Sequence, residues 1–549
     1  MKVMVKRLLV VVLVLTVTCG GIVLPVPEQV SAKTVAKFET VKTTAAKMKK
    51  PKKIKLNTTK KTLYVGQKTN LKVKKVTPAK ASKAVTWKTS DKKVVTVTVN
   101  GKVTAKKAGT AEITAVSKKN KKVKAVCKIT VKKKKIITLE KDVYSGSYGN
   151  TSWTIKNGLL EVKGTGNMYP SGNQPEWIKY SDKITSAKIE VTGATDLSNL
   201  FVGCSNLNSV DVNKLDTSKV TDMVDMFAGC SKLKKVDVSK FNISKVKNLG
   251  GMFDGCSGLT TLAVSKFDTS NVADMMGMFR GCSGLTTLDV SGFDTSNVTD
   301  MAGMFWGCSG LTTLDVSKFD TSNVEWMNFM FLNCSGLTTL DVSGFNTSNV
   351  TDMLGMFRGC SGLKTLDVSK LDTSKVTNMK LMFAGCSGLK TLDVSGFDTS
   401  NVLEMGAMFA DCSGLKTLDV SGFDTSKVMN MEAMFQDCSE LTTLDVSKFD
   451  TSNVTRMRNM FLLCSGLTVL DISKFNTSKV TDMGGMFFGC SELNTLDVSG
   501  FDTSNVTEMS HMFAGCSRLT RLDVSGFDTS NVTDIEYMFG GGTWRWQGY

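Results

Sequence analysis

Two rhythms of apolar and polar residues divide the chain. From Ile54 to Lys133 apolar residues alternate with polar ones in short runs: "IKLN", "TLYVG", "TNLKVKKV", "AVTWKTS", "VVTVTVNGKVTAKKAG", "AEITAVS" and "VKAVCKITV". Alternation with period two, with Asn100-Gly101 as a hairpin turn, predicts about seven strands in a β-sandwich. Trp87 and the alternate valines are expected to face its core. Further on a second rhythm takes over. Cysteines stand at thirteen positions from Cys204 to Cys516, each 26 residues from the next. The residues between them repeat as well, as in "SGFDTSNVTDMAGMFWGCSGLTTLDV" (291–316).

Within one copy two apolar patterns follow each other. "LTTLDVSGF" places Leu285, Leu288, Val290 and Phe293 at the spacing of a leucine-rich-repeat strand, with Thr287, Asp289 and Ser291 pointing the other way. "DTSNV" suits Asx-turns and helix capping. In "VTDMAGMFWGC" the residues Val298, Met301, Phe305 and Cys308 recur at steps of three and four beside Met304. That spacing predicts a short helix or helical turn, which Gly307 is placed to end. A single copy buries too little apolar surface to stand alone, so the copies are expected to stack. The expected fold class is mixed. A leucine-rich-repeat-like α/β solenoid of about fourteen turns, parallel sheet plus short helical turns, follows a small all-β sandwich.

Charge sharpens this division. Residues 1–135 carry 36 Lys/Arg against 4 Asp/Glu, whereas the whole chain carries 69 against 50. The remainder therefore holds 33 basic and 46 acidic residues, so a basic head precedes an acidic body. At the start, "MKVMVKRLLVVVLVLTVTCGGIVLPVPEQVSAK" combines a positive beginning, an apolar run from Leu8 to Val17 and a Val30-Ser31-Ala32 site suited to cleavage. It reads as an export signal, because Gly20, Gly21 and Pro25 interrupt the run before the roughly 20 residues a membrane span needs. Cys19 lacks the residues that a lipid-attachment motif wants before it. No proline follows Pro175, so no LPxTG-type sorting signal lies in these 549 residues.

The landmarks Gly66, Trp87, Asn100-Gly101 and Ala108-Gly109 fall in order along residues 54–133, and that segment resembles the bacterial immunoglobulin-like domain (group 2) of the invasin/intimin type. The pattern "FDTSNVTDMxxMFxGCSxLTTLDVS" resembles the 26-residue surface-protein repeat of the BspA-like leucine-rich-repeat group, over about residues 145–541. "SWTIKNGLLEVKGTGNMYP" (152–170) looks like the cap that precedes such arrays. The resemblance implies an exported bacterial surface protein that binds other proteins or host and envelope components, and it carries no catalytic residues. The expected organisation is a signal peptide (1–32), a lysine-rich leader (33–53), the sandwich (54–133), a linker and N-terminal cap (134–183), the repeats (184–541) and a tail (542–549).

Candidate chemistry is sparse. The cysteines are expected to be buried free thiols, because equivalent positions in stacked turns project in parallel while a disulfide needs them to converge. Some disulfides, or a metal site, are the alternatives. The metal reading lacks C-x-x-C pairs and has only His511. An aspartate column includes Asp289, Asp315, Asp341, Asp367 and Asp393, is interrupted by Ala263 and is preceded by Glu190 in the shortened first copy "SAKIEVTGATDLSNLFVGC". Stacked carboxylates repel. Ser/Thr hydroxyls, bound cations or lysines such as Lys364, Lys390 and Lys416 are the candidates to offset that repulsion. Trp306, Trp326, Phe329 and Leu332 lie at the most variable positions of adjacent copies and read as either an exposed aromatic patch or local packing between turns. These four residues and the five aspartates are the candidate partner-binding residues. Catalysis is not expected, since a catalytic site needs one irregular constellation and the copies offer the same groups everywhere. No cofactor is expected. The expected state is a monomer whose partner is a protein or an envelope or host surface ligand. The lysines of the head alternate as a solvated face would, with an anionic wall polymer as their candidate contact. Interleaved aromatics are nearly absent, so nucleic acid is not the expected partner.

Overall fold

The computed structural model describes residues 50–133 and 143–540, in two compact units that divide between Lys133 and Lys134, each with its own apolar core. The signal peptide, Cys19, leader residues 33–49, linker residues 134–142 and the tail lie outside the described residues. No helix among the described residues is long and apolar enough to cross a membrane.

The first unit is all β. Its nine strands are β1 (Lys53–Leu56), β2 (Lys60–Tyr64), β3 (Lys68–Asn70), β4 (Val73–Thr77), β5 (Val85–Thr89), β6 (Val95–Val97), β7 (Lys102–Ala105), β8 (Gly109–Ser117) and β9 (Lys124–Lys132). They form a pair β1-β4, a four-stranded sheet β2-β9-β8-β5 and a three-stranded sheet β3-β7-β6. The seven alternating runs yield nine strands because two of them, "TNLKVKKV" and "VVTVTVNGKVTAKKAG", each break into two. Alternation sorts the residues: Ile113, Ala115, Cys127 and Ile129 are fully buried, while Lys124, Lys128 and Lys132 are exposed. Trp87 is only half-buried, packed against the core edge. Gly101 makes room for it. Its φ is +84°, and a Cβ there would lie 3.0 Å from the indole and 2.3 Å from the Leu71 carbonyl oxygen.

The second unit begins with β10 (Val143–Tyr148), β11 (Asn150–Lys156) and β12 (Leu159–Thr165), then a 3-10 helix (Glu176–Lys183), β13 (Ser186–Thr192) and β14 (Ser209–Asp211). The first three strands pair antiparallel, and β12, β13 and β14 pair parallel. Buried Trp153, Tyr169 and Trp177 close this end of the core. The Trp177 indole N–H donates to the Leu200 carbonyl at 2.9 Å and the Tyr169 hydroxyl to the Ser198 carbonyl at 2.7 Å. Their polar tips thus replace partners that the backbone lacks at the end of a stack.

Beyond β14 the expected α/β leucine-rich-repeat-like solenoid is overturned. Among the described residues the repeats contain no α-helix, and after β14 no continuous parallel sheet. They are built of turns joined by isolated parallel bridges such as Asp341 to Asp367 and Thr391 to Thr417. The backbone explains why the three-and-four spacing produces no helix. Gly303 and Gly307 have φ of +60° and +73°, and the equivalent Phe329 and Asn333 have +60° and +57°. Left-handed residues four apart cannot sit in a right-handed helix. The N–H groups then alternate in direction. Those of Met304, Trp306 and Cys308 donate three residues back, at 3.0–3.1 Å. Those of Met301, Gly303, Phe305 and Gly307 donate instead to Trp326, Asn328, Met330 and Leu332 in the next copy, at 2.6–3.0 Å. A helix would send every one of them to the fourth residue back within its own copy.

Side chains obey the same register. Val298, Met301, Met304, Phe305 and Cys308 are fully buried, as the spacing required. The phenylalanines from Phe201 to Phe513 stack on their successors with ring centroids 5.3–6.0 Å apart. One apolar cluster runs from Trp153 to Met538.

Candidate binding face of the repeats

Most copies leave one stretch exposed at alternate positions, the "TLD" of "LTTLDV". Leu288, Leu314, Leu340 and Leu366 are buried, while Thr287, Thr313, Asp289 and Asp315 beside them are exposed. Repeated along the stack, these positions line an open groove. A hollow of about 1090 Å³ involves Lys234, Lys235, Asp237, Ala263, Asp289 and Asp315, and another of about 650 Å³ involves Asp393, Asp419, Asp445 and Asp471. Ala263, the break in the aspartate column, falls within the larger one.

The aspartates are held locally. The Ser291 hydroxyl and backbone N–H both donate to Asp289 Oδ1, at 2.6 and 3.0 Å, and Ser317 does the same for Asp315. Ser343 and Ser395 repeat the arrangement at Asp341 and Asp393, and the Ser369 N–H donates to Asp367 at 2.9 Å. These serine hydroxyls first, and the backbone N–H groups second, hold all five carboxyls below the usual carboxylate range. Lys318 adds to the effect at Asp289 and Asp315, and Lys370 at Asp367. Lys364, Lys390 and Lys416 form no ion pair with the column among the described residues. Local hydrogen bonding therefore answers the repulsion that the sequence raises. Among the described residues no group of three or more His, Cys, Asp and Glu side chains is arranged to hold a metal.

The start of the column needs a correction. In the β13–β14 pairing Lys188, not Glu190, lies opposite Asp211. Glu190 instead gathers Lys188 and Lys214 at 3.1 Å and Lys163 at 3.7 Å, and the hydrogen bonds from Lys188 and Lys214 bring its carboxyl down to about 2.

The four candidate apolar residues do not share one patch. Trp306, half-buried, meets the Phe329 ring at a centroid distance of 5.5 Å and lies 5.7 Å from the Arg280 guanidinium. Phe329 and Leu332 are buried. Trp326 is 39% exposed, occupies a different column, and has no ring contact with the others among the described residues. The packing alternative thus describes Phe329 and Leu332, and Trp326 is left as the free aromatic surface.

The cysteines from Cys204 to Cys516 are all free and buried. From Cys230 onward each thiol donates to the carbonyl of the phenylalanine 29 residues earlier, as Cys308 does to Phe279 at 3.1 Å. Burial pushes the Cys308 thiol up to about 12. They are neither bridged nor activated; they tie one copy to the one before it.

Sequence reasoning missed two further columns. Buried threonines from Thr269 to Thr503 donate their hydroxyls to a carbonyl 25 residues on, as Thr295 does to Asp320 at 2.9 Å. A second exposed acidic column includes Asp294, Asp320, Asp372, Asp398 and Asp424, each capped by the serine two residues later. The recurrence of "DTS" in nearly every copy was the available signal for both.

The fold and this face define a repeat protein with an N-terminal immunoglobulin-like unit and a long, regularly substituted surface. Residues 50–127 match the bacterial Ig-like domain (group 2). Residues 178–283, 251–366, 351–469 and 464–545 match the family described as "Mycoplasma protein of unknown function, DUF285", and the chain belongs to that family. A leucine-rich repeat protein from Eubacterium ventriosum, known from a crystal structure, is similar over 69% of this chain and 95% of its own, at 18% identity and a TM-score of 0.36. No curated protein matches the chain.

Proposed function

We propose that this is an exported bacterial surface protein that recognises a protein or a host or envelope ligand without catalysis, using the Thr-Leu-Asp groove of its repeats. The resemblance to the BspA-like surface repeats and the N-terminal signal pattern support the setting. One observation carries the reading: the threonines and aspartates of the groove are left exposed by packing and line open hollows along the repeats. The buried phenylalanines, methionines, cysteines and threonines are committed to packing within and between copies, while the aspartates are exposed and pre-oriented by their serines. A rigid row of oriented acceptors favours recognition because little side-chain freedom remains to be lost on binding.

The test is capture of the full chain on purified bacterial cell walls and on immobilised matrix proteins, comparing wild type with a triple variant (Asp315→Lys, Asp341→Lys, Asp367→Lys) and with Trp326→Ala. The triple variant is expected to lose at least tenfold in affinity on the order of what several lost polar contacts give, with its melting temperature unchanged. Trp326→Ala is expected to weaken capture less. A wild-type chain that binds neither surface, or a triple variant that binds as well as wild type, refutes the groove. N-terminal sequencing of the secreted protein tests export; a mature chain starting at Lys33 is expected.

A further inference from the structure

The immunoglobulin-like unit carries a charge that its fold does not need. Residues 50–133 contain 26 lysines, no arginine, and only Asp91 and Glu112 as acids. Every one of those lysines is exposed, and none forms an ion pair among the described residues. Asp91 accepts from the backbone N–H groups of Lys93 and Val94, so its charge is turned toward its own loop.

The pairing of strands places some of these charges against each other. Lys55 on β1 lies directly opposite Lys75 on β4, and Lys60 on β2 lies beside Lys128 on β9. Like charges directly across a ladder destabilise a sheet. Of these four lysines only Lys128 has an acid on its other side, Glu112 of β8. A domain that served only as a spacer gains nothing from such pairs, whereas a partner that supplies negative charge relieves them.

We infer that this unit binds a linear phosphodiester polymer without bases, such as poly(glycerol phosphate), through the lysines of β1, β2, β4 and β9. Three features select this chemistry. Lysine is a mobile point charge that follows a flexible backbone of phosphates, whereas fixed bidentate recognition calls for arginine. Dense positive charge gains affinity by releasing the counterions of a polyanion. Stacking of bases needs aromatic platforms, and the unit has only Tyr64 and Trp87, both half-buried.

The experiment measures binding of the full chain to purified poly(glycerol phosphate) and to single-stranded DNA of matched charge, across a salt series. One variant replaces Lys55, Lys75, Lys60 and Lys128 with Gln, and a control replaces the same number of repeat lysines, Lys219, Lys375, Lys427 and Lys479. The first variant is expected to bind the polymer at least tenfold more weakly. Its slope of log affinity against log salt is expected to fall by about 3, at roughly 0.7 per phosphate contact. The control should bind as wild type does. The melting transition of the first unit should stay level or rise in the four-lysine variant, since opposed charges are removed. Equal loss in both variants, no binding at physiological salt, tighter binding of DNA, or a lowered melting transition overturns the inference.

Discussion

In the immunoglobulin-like unit β8 and β9 pair along eight register positions, from Gly109 with Val131 to Val116 with Lys124, and every second residue turns inward. In the repeats Met301, Gly303, Phe305 and Gly307 also donate to a neighbouring stretch of chain, but that stretch is the next copy, and the residues between them donate backward within their own turn. Both units bury most of the residues that their rhythm marks. Apolar spacing reports which side chains turn inward; the backbone conformation follows from where each N–H finds its acceptor. Period two leaves little choice, because extended chains pair with one another. Spacing of three and four leaves two choices, a helix that is self-sufficient or turns that depend on their neighbours.

The sharpest way to separate the two units is by their thiols. The repeats bury thirteen, against Cys127 alone in the first unit. Burial raises these thiols, Cys308, Cys360 and Cys464 to about 12, above the unfolded value near 8.5. The folded state therefore favours the neutral thiol. That contribution is fully present below pH about 8.5 and is lost as the pH rises toward the folded values. Calorimetry between pH about 8 and 12 should show the repeat transition falling much more steeply than that of the first unit. Parallel decline of the two transitions would break the comparison.

Phe305→Ala comes next in size. The ring stacks on Phe279 at 5.8 Å and on Phe331 at 5.7 Å, and its loss should cost the repeat transition about 3–5 kcal/mol through transfer and cavity effects. Urea unfolding should show the first unit's transition unmoved. The smallest effect is the most diagnostic of backbone. Gly307 has φ +73°, and a Cβ there would approach nothing closer than the Gly281 Cα at 3.6 Å. Gly307→Ala should therefore destabilise the repeats by about 1–2 kcal/mol through conformation alone. In a helix the same change would stabilise by about 1 kcal/mol. The sign of the measured change decides between turns and helix.

Particular residues show how far the sequence was legible. The Asn100-Gly101 turn, the inward alternation of β8 and β9 and the burial of Met301, Phe305 and Cys308 all follow from local pattern, because hydrophobic periodicity is a property of neighbours in the chain. Of the candidate site, the exposure of Asp289 and Asp315 was readable from alternation, and hydroxyls such as those of Ser291 and Ser317 were among the candidate partners named for them. What was not readable was the division of the aromatic candidates. Trp306 and Phe329 touch each other and Trp326 stands apart, since contact between adjacent copies depends on the turn geometry that carries each side chain. The alignment of Lys188 with Asp211 was hidden for the same reason: the shortened first copy can be registered in two ways, and only strand pairing chooses.

By itself the sequence determined the two-part character of the chain, the 26-residue period, the inward and outward sets of residues and the contrast between a basic head and an acidic body. Only the tertiary structure decided that the repeats are turns rather than helices, that the cysteine thiols reach back to a phenylalanine carbonyl, and that lysines oppose lysines across β1 and β4. The physical reason is shared. Burial is dictated locally by composition and spacing, whereas each of these outcomes depends on which distant backbone or side-chain group lies within about 3 Å, the reach of a hydrogen bond, and that is settled only when the copies and strands pack.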